Sequence, residues 1–138
     1  MFRISRLVLF GLTVFVVSSC GDATESGTQI SGELSEWSID MDETTAMAGD
    51  ITFRIKNSGT IDHEFVVVKT DIPAGAIPVQ GGLFVEDQEG IDVIDEIPPF
   101  AKGGTEELAI ALDAGLYQLV CNLPGHYQAG MHTTFIVK

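Results

Sequence analysis

Apolar and polar residues alternate with a period of two along most of the chain from Ile30 onward. Such alternation is typical of strands that bury one face and expose the other. No apolar pattern with the helical period of 3.6 residues is sustained in this part of the chain. The alternation, together with one Val-rich run, predicts strands in six segments: 36–42, 51–56, 63–69, 107–112, 116–121 and 131–137.

The stretches between these segments carry Gly, Pro, Asn and Asp, which favour turns. The segment 79–100 is harder to assign, because Gly81-Gly82, a run of acidic residues and Pro98-Pro99 predict a long connection that holds one short strand or a helical turn. Seven to eight short strands predict an all-β fold, a Greek-key antiparallel β-sandwich over residues 30–138. Loops at one end of such a sandwich usually carry its functional groups.

The first 19 residues have a different character. Arg3 and Arg6 precede an apolar run at 7–17, and small residues then lead to Cys20. This order is typical of an export signal, and the run is short for a membrane span. The segment 17–20 resembles the lipobox of bacterial lipoproteins, which implies cleavage before Cys20 and lipidation of its thiol. An ordinary signal peptide with a free Cys20 and an uncleaved short anchor both stay open.

On this interpretation residues 1–19 are a signal peptide, residues 20–29 are a flexible tether, and the domain spans 30–138. The mature protein is then exported to the cell envelope or periplasm and attached to a membrane by its lipid. Gly21 after Cys20 resembles the sequence that directs a lipoprotein to the outer membrane of a bacterium with two membranes.

The charge of the chain limits its partners. Removing residues 1–19 leaves five basic and 20 acidic side chains, so the formal charge changes from −13 to −15. Nucleic acid and anionic membrane surfaces are therefore poor partners, because phosphate binding needs Lys and Arg. An acidic surface favours encounter with basic partners. A charge that only keeps an exported protein soluble explains the composition equally well.

A thiol, an imidazole and a thioether recur every five residues in the segment 121–131, as Cys121, His126 and Met131. Gly and Pro between them indicate a loop, and predicted strands lead into it and out of it. Sulfur ligands beside imidazole select copper, and two His and one Cys with a distant Met form an electron-transfer site. The loop supplies three of these four groups, so a second His has to come from elsewhere.

His63 is the candidate for the missing ligand. It begins the Val-rich strand, and strands that are distant in sequence become neighbours in a Greek-key sandwich. His132 directly follows Met131 in a predicted strand, so its side chain should point to the opposite face. A disulfide between Cys20 and Cys121 is disfavoured, because Cys121 has His and Met companions that a disulfide does not need.

The segments 62–65 and 116–131 resemble the cupredoxins, the type 1 or blue copper proteins. The Cys-x4-His-x4-Met spacing is similar to that of rusticyanin, auracyanin and sulfocyanin, and longer than the corresponding loop of plastocyanin. The resemblance implies a single copper ion, with Met131 as a distant axial ligand and three ligands in a plane around it, His63, Cys121 and His126.

The resemblance also implies a function without catalysis, namely one-electron transfer between Cu(I) and Cu(II) through the exposed edge of His126. The implied partners are redox proteins such as a cytochrome or an oxidase, and the carrier is expected to be a monomer. The partners would dock on an apolar patch around His126, formed by Leu123, Pro124, Tyr127 and Ala129. Glu64 departs from the resemblance, because plastocyanin-like members carry Asn at that position to tie the two ligand loops together.

Three other functions stay open. A copper chaperone or storage protein could use the same ligands, although one closed site with a single Cys favours a carrier. A copper oxidase or nitrite reductase would need more His than the three in this chain. A metal-free sandwich used for adhesion would leave Cys121 as a buried thiol.

Overall fold

The computed structural model describes residues 27–138. The predicted signal peptide, the lipidation of Cys20 and most of the predicted tether lie outside the described residues. Within residues 27–138, no helix combines the length and the apolar character that a membrane crossing needs.

Eleven strands and one short helix make up the described part of the chain. They are β1 (Thr28–Ser35), β2 (Ser38–Met41), β3 (Thr45–Ala46), β4 (Gly49–Asn57), β5 (His63–Lys69), β6 (Val79–Gln80), β7 (Leu83–Phe84), β8 (Asp92–Phe100), β9 (Thr105–Leu112), β10 (Gly115–Val120), α1 (His126–Ala129) and β11 (His132–Val137).

The strands form a sandwich of two sheets, as the alternating pattern predicted. One sheet has the order β2-β1-β4-β9 and the other β3-β11-β10-β5-β8, while β6 and β7 form a separate hairpin. Two expectations need correction. The strand count exceeds seven or eight, because three of the strands have only two residues. The sheets are mixed rather than antiparallel, since β1 runs parallel to β4 and β11 parallel to β3.

The segment 79–100 holds more strand than predicted. Its last nine residues form β8, which pairs with β5 at the edge of the five-stranded sheet. Pro98 and Pro99 are compatible with this position, because proline removes a hydrogen-bond donor that an edge strand can leave unpaired.

The predicted strand 36–42 is interrupted by a turn. Ser35 pairs with Ser38, so Glu36 and Trp37 form a two-residue hairpin loop between β1 and β2. Trp37 is therefore 45% exposed rather than part of a half-buried strand face.

The core lies between the two sheets. Phe53 of β4 packs against Phe65 and Phe135 of the opposite sheet, with ring centroids 5.3 Å apart in both pairs. The outer face of the five-stranded sheet is also covered, because Val66 and Val68 pack in a second cluster with side chains from the 70–91 connection. Strand β5 is consequently buried on both faces, which explains its unbroken apolar run.

The two ends of the sandwich differ in what they carry. Strand β5 begins at His63, and β10 ends just before Cys121, so both residues lie at one end, called here the metal end. The described chain enters at the opposite end, where Thr28 pairs with Ile51 at the start of β4. Lys138 also lies there, since its carbonyl accepts a hydrogen bond from the Ala48 backbone N–H.

Candidate metal centre

Three of the four predicted ligands meet at the metal end. The Nδ1 atom of His126 lies 3.3 Å from Nδ1 of His63 and 3.3 Å from Sγ of Cys121. All three donor atoms lie within 4.8 Å of one another. His63 and Cys121 are 0% exposed and His126 is 9% exposed. The three side chains thus form one buried cluster of two imidazoles and one thiol.

The sheet topology brings His63 next to Cys121. Strand β10 lies between β5 and β11, and Val120 pairs with Val66 on one side and with His132 on the other. The side chain of Cys121 belongs to the core between the sheets. A separation of 58 residues in sequence therefore becomes a contact between neighbouring strands.

The loop between β10 and β11 positions His126 through a single helical turn. Gly125 precedes the turn with a φ of 83° and Gly130 follows it with a φ of 121°, conformations that glycine adopts without steric cost. The His126 backbone N–H donates to the Leu123 carbonyl at 2.9 Å, and the Gly125 N–H donates to Gly82 at 2.8 Å. The loop is thereby fixed both internally and against the β6–β7 hairpin.

Met131 closes this loop against Cys121. The Cys121 backbone N–H donates to the Met131 carbonyl at 3.0 Å, and the Met131 N–H donates to the His126 carbonyl at 3.1 Å. The side chain of Met131 is fully buried in the same core cluster as Cys121. Its role as an axial ligand stays a prediction.

His132 lies outside the cluster. It packs on the Tyr127 ring with centroids 5.1 Å apart, on the side of the sheet away from the main core. Burial lowers the pKa of His132, which favours its neutral form. The opposite-face placement expected from strand alternation agrees with these contacts.

The electrostatics of the cluster favour the neutral forms of Cys121 and His126. Burial raises the pKa of the Cys121 thiol, although backbone N–H groups of Glu64 and Leu123 act in the opposite direction. Burial lowers the pKa of His126, and the nearby His63 lowers it further. A neutral imidazole offers a lone pair to a metal, and metal binding would displace the thiol proton.

The donor set fits one copper ion. Thiolate and imidazole donors bound to one metal at about 2.0–2.3 Å are separated from one another by about 3–4 Å, and two of the observed separations are 3.3 Å. Two His and one Cys in a site closed to solvent match the trigonal ligand set of type 1 copper. Cluster geometry and ligand chemistry therefore agree on the same metal.

Comparisons with known proteins bear on the fold. No protein-family model and no curated sequence matches the chain. The structure of auracyanin from Roseiflexus castenholzii is 26% identical with a TM-score of 0.60, and the match covers 81% of this chain and 98% of that chain. The domain has the cupredoxin fold.

Other cupredoxins give similar matches. Auracyanin A from Chloroflexus aurantiacus, described as a "blue" copper protein, is 25% identical with a TM-score of 0.54 over 80% of this chain and 99% of that chain. Rusticyanin from Thiobacillus ferrooxidans is 22% identical with a TM-score of 0.52 over 82% of this chain and 79% of that chain.

Two residues of this domain contact the cluster without having been predicted to do so. Oε1 of Glu36 lies 3.2 Å from Nε2 of His63, and the ring centroid of Trp37 lies 4.9 Å from that of His126. Neither residue type is typical of a two-residue turn, which favours Gly, Asn and Asp. The sequence thus carried no local signal that the chain reverses at this point and places both side chains on the ligands.

Tyr127 does not belong to the exposed surface around His126, and its inclusion in the predicted docking patch is wrong. The side chain is buried, and its ring packs against Phe84. Its hydroxyl accepts a hydrogen bond from the Ile77 N–H at 3.1 Å and donates one to Gln118 at 3.2 Å. These interior partners satisfy the polar group and hold the ring inward.

Glu64, which stands where plastocyanin-like cupredoxins carry Asn, is buried and directed to the ligand loop. Burial raises the pKa of its carboxyl, while a hydrogen bond from the Asn122 backbone N–H acts in the opposite direction. Asn122 is the residue after Cys121, and its side chain accepts a hydrogen bond from Phe84 N–H at 2.8 Å. The carboxyl group of Glu64 therefore lies near the residue that follows Cys121.

Proposed function

We propose that this protein is a one-electron carrier that holds one type 1 copper ion. The observation that carries the proposal is the convergence of His63, Cys121 and His126 in one buried cluster at the end of a cupredoxin fold. Copper in this site would supply exchange between Cu(I) and Cu(II). The fold would supply a ligand set that changes little between the two oxidation states.

Each ligand has a separate task in the proposed carrier. Cys121 and the two His side chains would hold the ion, and Met131 would add a weak further donor. The complete burial of Cys121 and His63 excludes water from the ligand sphere. Hydrogen bonds between Met131 and the flanking loop residues keep the loop in one conformation, so electron transfer requires little rearrangement.

The chaperone or storage alternative is not favoured. Copper exchange between proteins needs ligands that a partner can reach, and two of the three donors here are fully buried. A closed site suits a carrier that retains its metal through many redox cycles.

Titration of the purified, metal-free protein with Cu(II) tests the proposal. We expect an intense visible band from thiolate-to-copper charge transfer, which saturates at one copper per chain and is absent in Cys121→Ser. A matched control is His132→Gln, which removes the histidine outside the cluster and should retain the band. A colourless wild-type protein, or an unchanged band in Cys121→Ser, would contradict the proposal.

We also propose the surface through which electrons pass. Trp37 packs edge-on against His126 and is 45% exposed. With Leu123, Pro124 and Ala129 it would form an apolar docking patch for a basic redox protein, such as a cytochrome, because the chain is strongly acidic. Trp37→Ala should slow electron exchange with such a partner while the visible spectrum persists. Equal exchange rates for the variant and the wild type would remove Trp37 from the pathway.

Attachment to a membrane is a further part of the proposal, and it is supported by the lipobox-like segment 17–20. We expect cells that express the full-length chain to export it and to incorporate labelled fatty acid into it, with the protein in the membrane fraction. Cys20→Ser should prevent labelling. A labelled Cys20→Ser variant, or an unlabelled wild type, would rule out lipidation of Cys20.

A further inference from the structure

The carboxylate of Glu36 contacts the ring nitrogen of His63 that does not face the cluster. Nδ1 of His63 points to His126, whereas Nε2 lies 3.2 Å from Oε1 of Glu36. The same oxygen accepts hydrogen bonds from the backbone N–H groups of Thr60 at 2.7 Å and Ile61 at 3.2 Å. One carboxylate oxygen thus joins the β1–β2 turn, the loop before β5 and a candidate metal ligand.

This contact determines which nitrogen of His63 is available to a metal. A carboxylate only accepts hydrogen bonds, so Nε2 of His63 has to carry the proton. Nδ1 then keeps its lone pair directed at the cluster. A carboxylate partner on the remote nitrogen of a ligand His also fixes the ring orientation and raises the basicity of the ligand.

Hydrogen bonds of Asn57 hold the loop around this contact. Asn57, which is fully buried, donates hydrogen bonds to the carbonyls of Ile61 at 2.9 Å and Phe100 at 3.0 Å, and accepts one from the Gly59 N–H. A Cβ atom on Gly59 would lie 2.6 Å from Oε1 of Glu36 and 2.7 Å from Nε2 of His63. Only glycine therefore leaves room for the contact without displacing one of its partners.

We propose that Glu36 is a positioning residue for the copper ligand His63, and that its negative charge favours Cu(II) over Cu(I) and so lowers the reduction potential. This inference rests on the proposed copper site. The charge acts through the imidazole, because a more basic ligand stabilises the more highly charged ion. The side chain of Glu36 is 25% exposed and that of His63 is 0% exposed, so solvent screens the contact only on one side.

Three variants separate position from charge. Glu36→Gln removes the charge but keeps an oxygen that can accept hydrogen bonds from the loop. Gly59→Ala keeps the charge but displaces the contact. Glu33→Gln is the matched control, because Glu33 lies on β1 just before the turn that carries Glu36 and accepts a hydrogen bond from Ser58 of the same loop.

We expect Glu36→Gln to weaken the preference for Cu(II) over Cu(I) about tenfold, which raises the midpoint potential by about 59 mV for a one-electron couple. Gly59→Ala should raise the potential as well, and Glu33→Gln should leave it unchanged. The affinity of the metal-free protein for Zn(II), which has no redox chemistry, should also fall about tenfold in Glu36→Gln.

The outcomes are distinct from those that test the copper site itself. A wild-type protein without the visible band would reject the copper site, whereas an intact band with no potential shift in Glu36→Gln rejects only the inference. Equal shifts of the midpoint potential in Glu36→Gln and Glu33→Gln would show that only the overall charge matters, and this would overturn the inference. An unshifted Gly59→Ala would overturn the positioning role, since charge alone would then account for the result.

The contact between Glu36 and His63 can also be tested in the wild-type protein. In the Cu(I) form, which is diamagnetic, NMR should detect a slowly exchanging proton on Nε2 of His63. A rapidly exchanging proton at that nitrogen would be inconsistent with a held contact to Glu36.

Discussion

The side chains of the metal centre contribute to function in different ways. Cys121 and His126 present their donor atoms to one another at 3.3 Å, whereas Met131 connects to them through its backbone hydrogen bonds and its buried side chain. Removing the sulfur of Met131 should therefore change the electronic properties of the site more than its structure.

If Met131 is the weak donor proposed above, Met131→Leu should raise the reduction potential, because a donor that stabilises Cu(II) would be lost. Exchange of Met for Leu conserves volume, so the free energy of unfolding should fall by less than about 1.5 kcal/mol. Voltammetry and denaturant titration of the same preparation measure both effects. Met47→Leu is the control, since Met47 is 68% exposed and should change neither quantity. A potential unaffected by Met131→Leu would show that the sulfur is not a ligand.

At the scale of structural elements, the metal end is held together by loops from both sheets. The loop between β4 and β5 carries the backbone groups that bind Glu36, and Asn57 at the end of β4 holds that loop. The strands therefore provide the frame, while a small number of buried polar groups fix the position of His63.

Asn57→Ala should lower the free energy of unfolding of the metal-free protein by about 2–3 kcal/mol, because two carbonyls and one N–H lose a buried partner. Urea titration at neutral pH measures the loss. Ser58→Ala removes an exposed hydrogen bond from the next residue and should change stability by less than about 0.5 kcal/mol. Similar losses in the two variants would argue against a special role for Asn57.

We expect protonation of the Glu36 carboxylate to lower the free energy of unfolding in acid. A hydrogen bond from the Thr60 backbone N–H, with further ones from Ile61 and His63, lowers the pKa of Glu36 from 4.5 to about 2. Its contribution to stability is complete above pH 4.5 and is lost as the pH falls towards about 2, because the unfolded chain binds the proton first.

Denaturant titrations of the metal-free wild type and Glu36→Gln, repeated across this pH range, test the sign. The difference in stability between the two proteins should shrink as the pH falls. Glu64 has a raised pKa and acts in the opposite sense, but it is present in both proteins and cancels in the difference. A difference that stays constant with pH would falsify the assignment to Glu36.

The sequence predicted those elements whose signal is local. Strand β5 was predicted with its observed bounds, because an apolar run of Val residues defines it without reference to the rest of the fold. The segment 79–100 was predicted to hold one short strand or a helical turn, and the length of strand β8 was not predicted because Pro98 and Pro99 indicate a break. Only the position at a sheet edge makes these prolines compatible with a strand. The parallel pairing of β1 with β4 likewise depends on tertiary structure.

The residues of the candidate site were likewise predictable only where the sequence carries a local signal. Cys121, His126 and Met131 share one loop, so their spacing is visible in the sequence. His63 could be found because few His residues exist to choose from. Glu36 and Trp37 could not be found, since their contacts with the ligands require the hairpin turn and the packing of β1 beside β4.

The whole molecule is strongly acidic, which should govern how fast it meets its partners. Residues 27–138 carry 18 acidic and five basic side chains. Electron exchange with a cationic cytochrome should slow by at least about tenfold between about 10 mM and about 0.5 M salt, because ions screen the attraction. Stopped-flow measurements give the rates, and an anionic cytochrome, for which salt should accelerate exchange, is the control. Rates independent of salt for both cytochromes would exclude electrostatic steering.

The position of both ends of the described chain has a consequence for how the protein can be oriented. Thr28 and Lys138 lie at the end opposite the ligands, and the eight residues of β1 span about 26 Å between the two ends. A lipid, a peptide linker or an electrode coupled to either end of the domain would hold it with His126 and Trp37 facing outward. Such attachment would leave the proposed docking patch free for a second protein, while the thickness of the domain would separate the metal from the support.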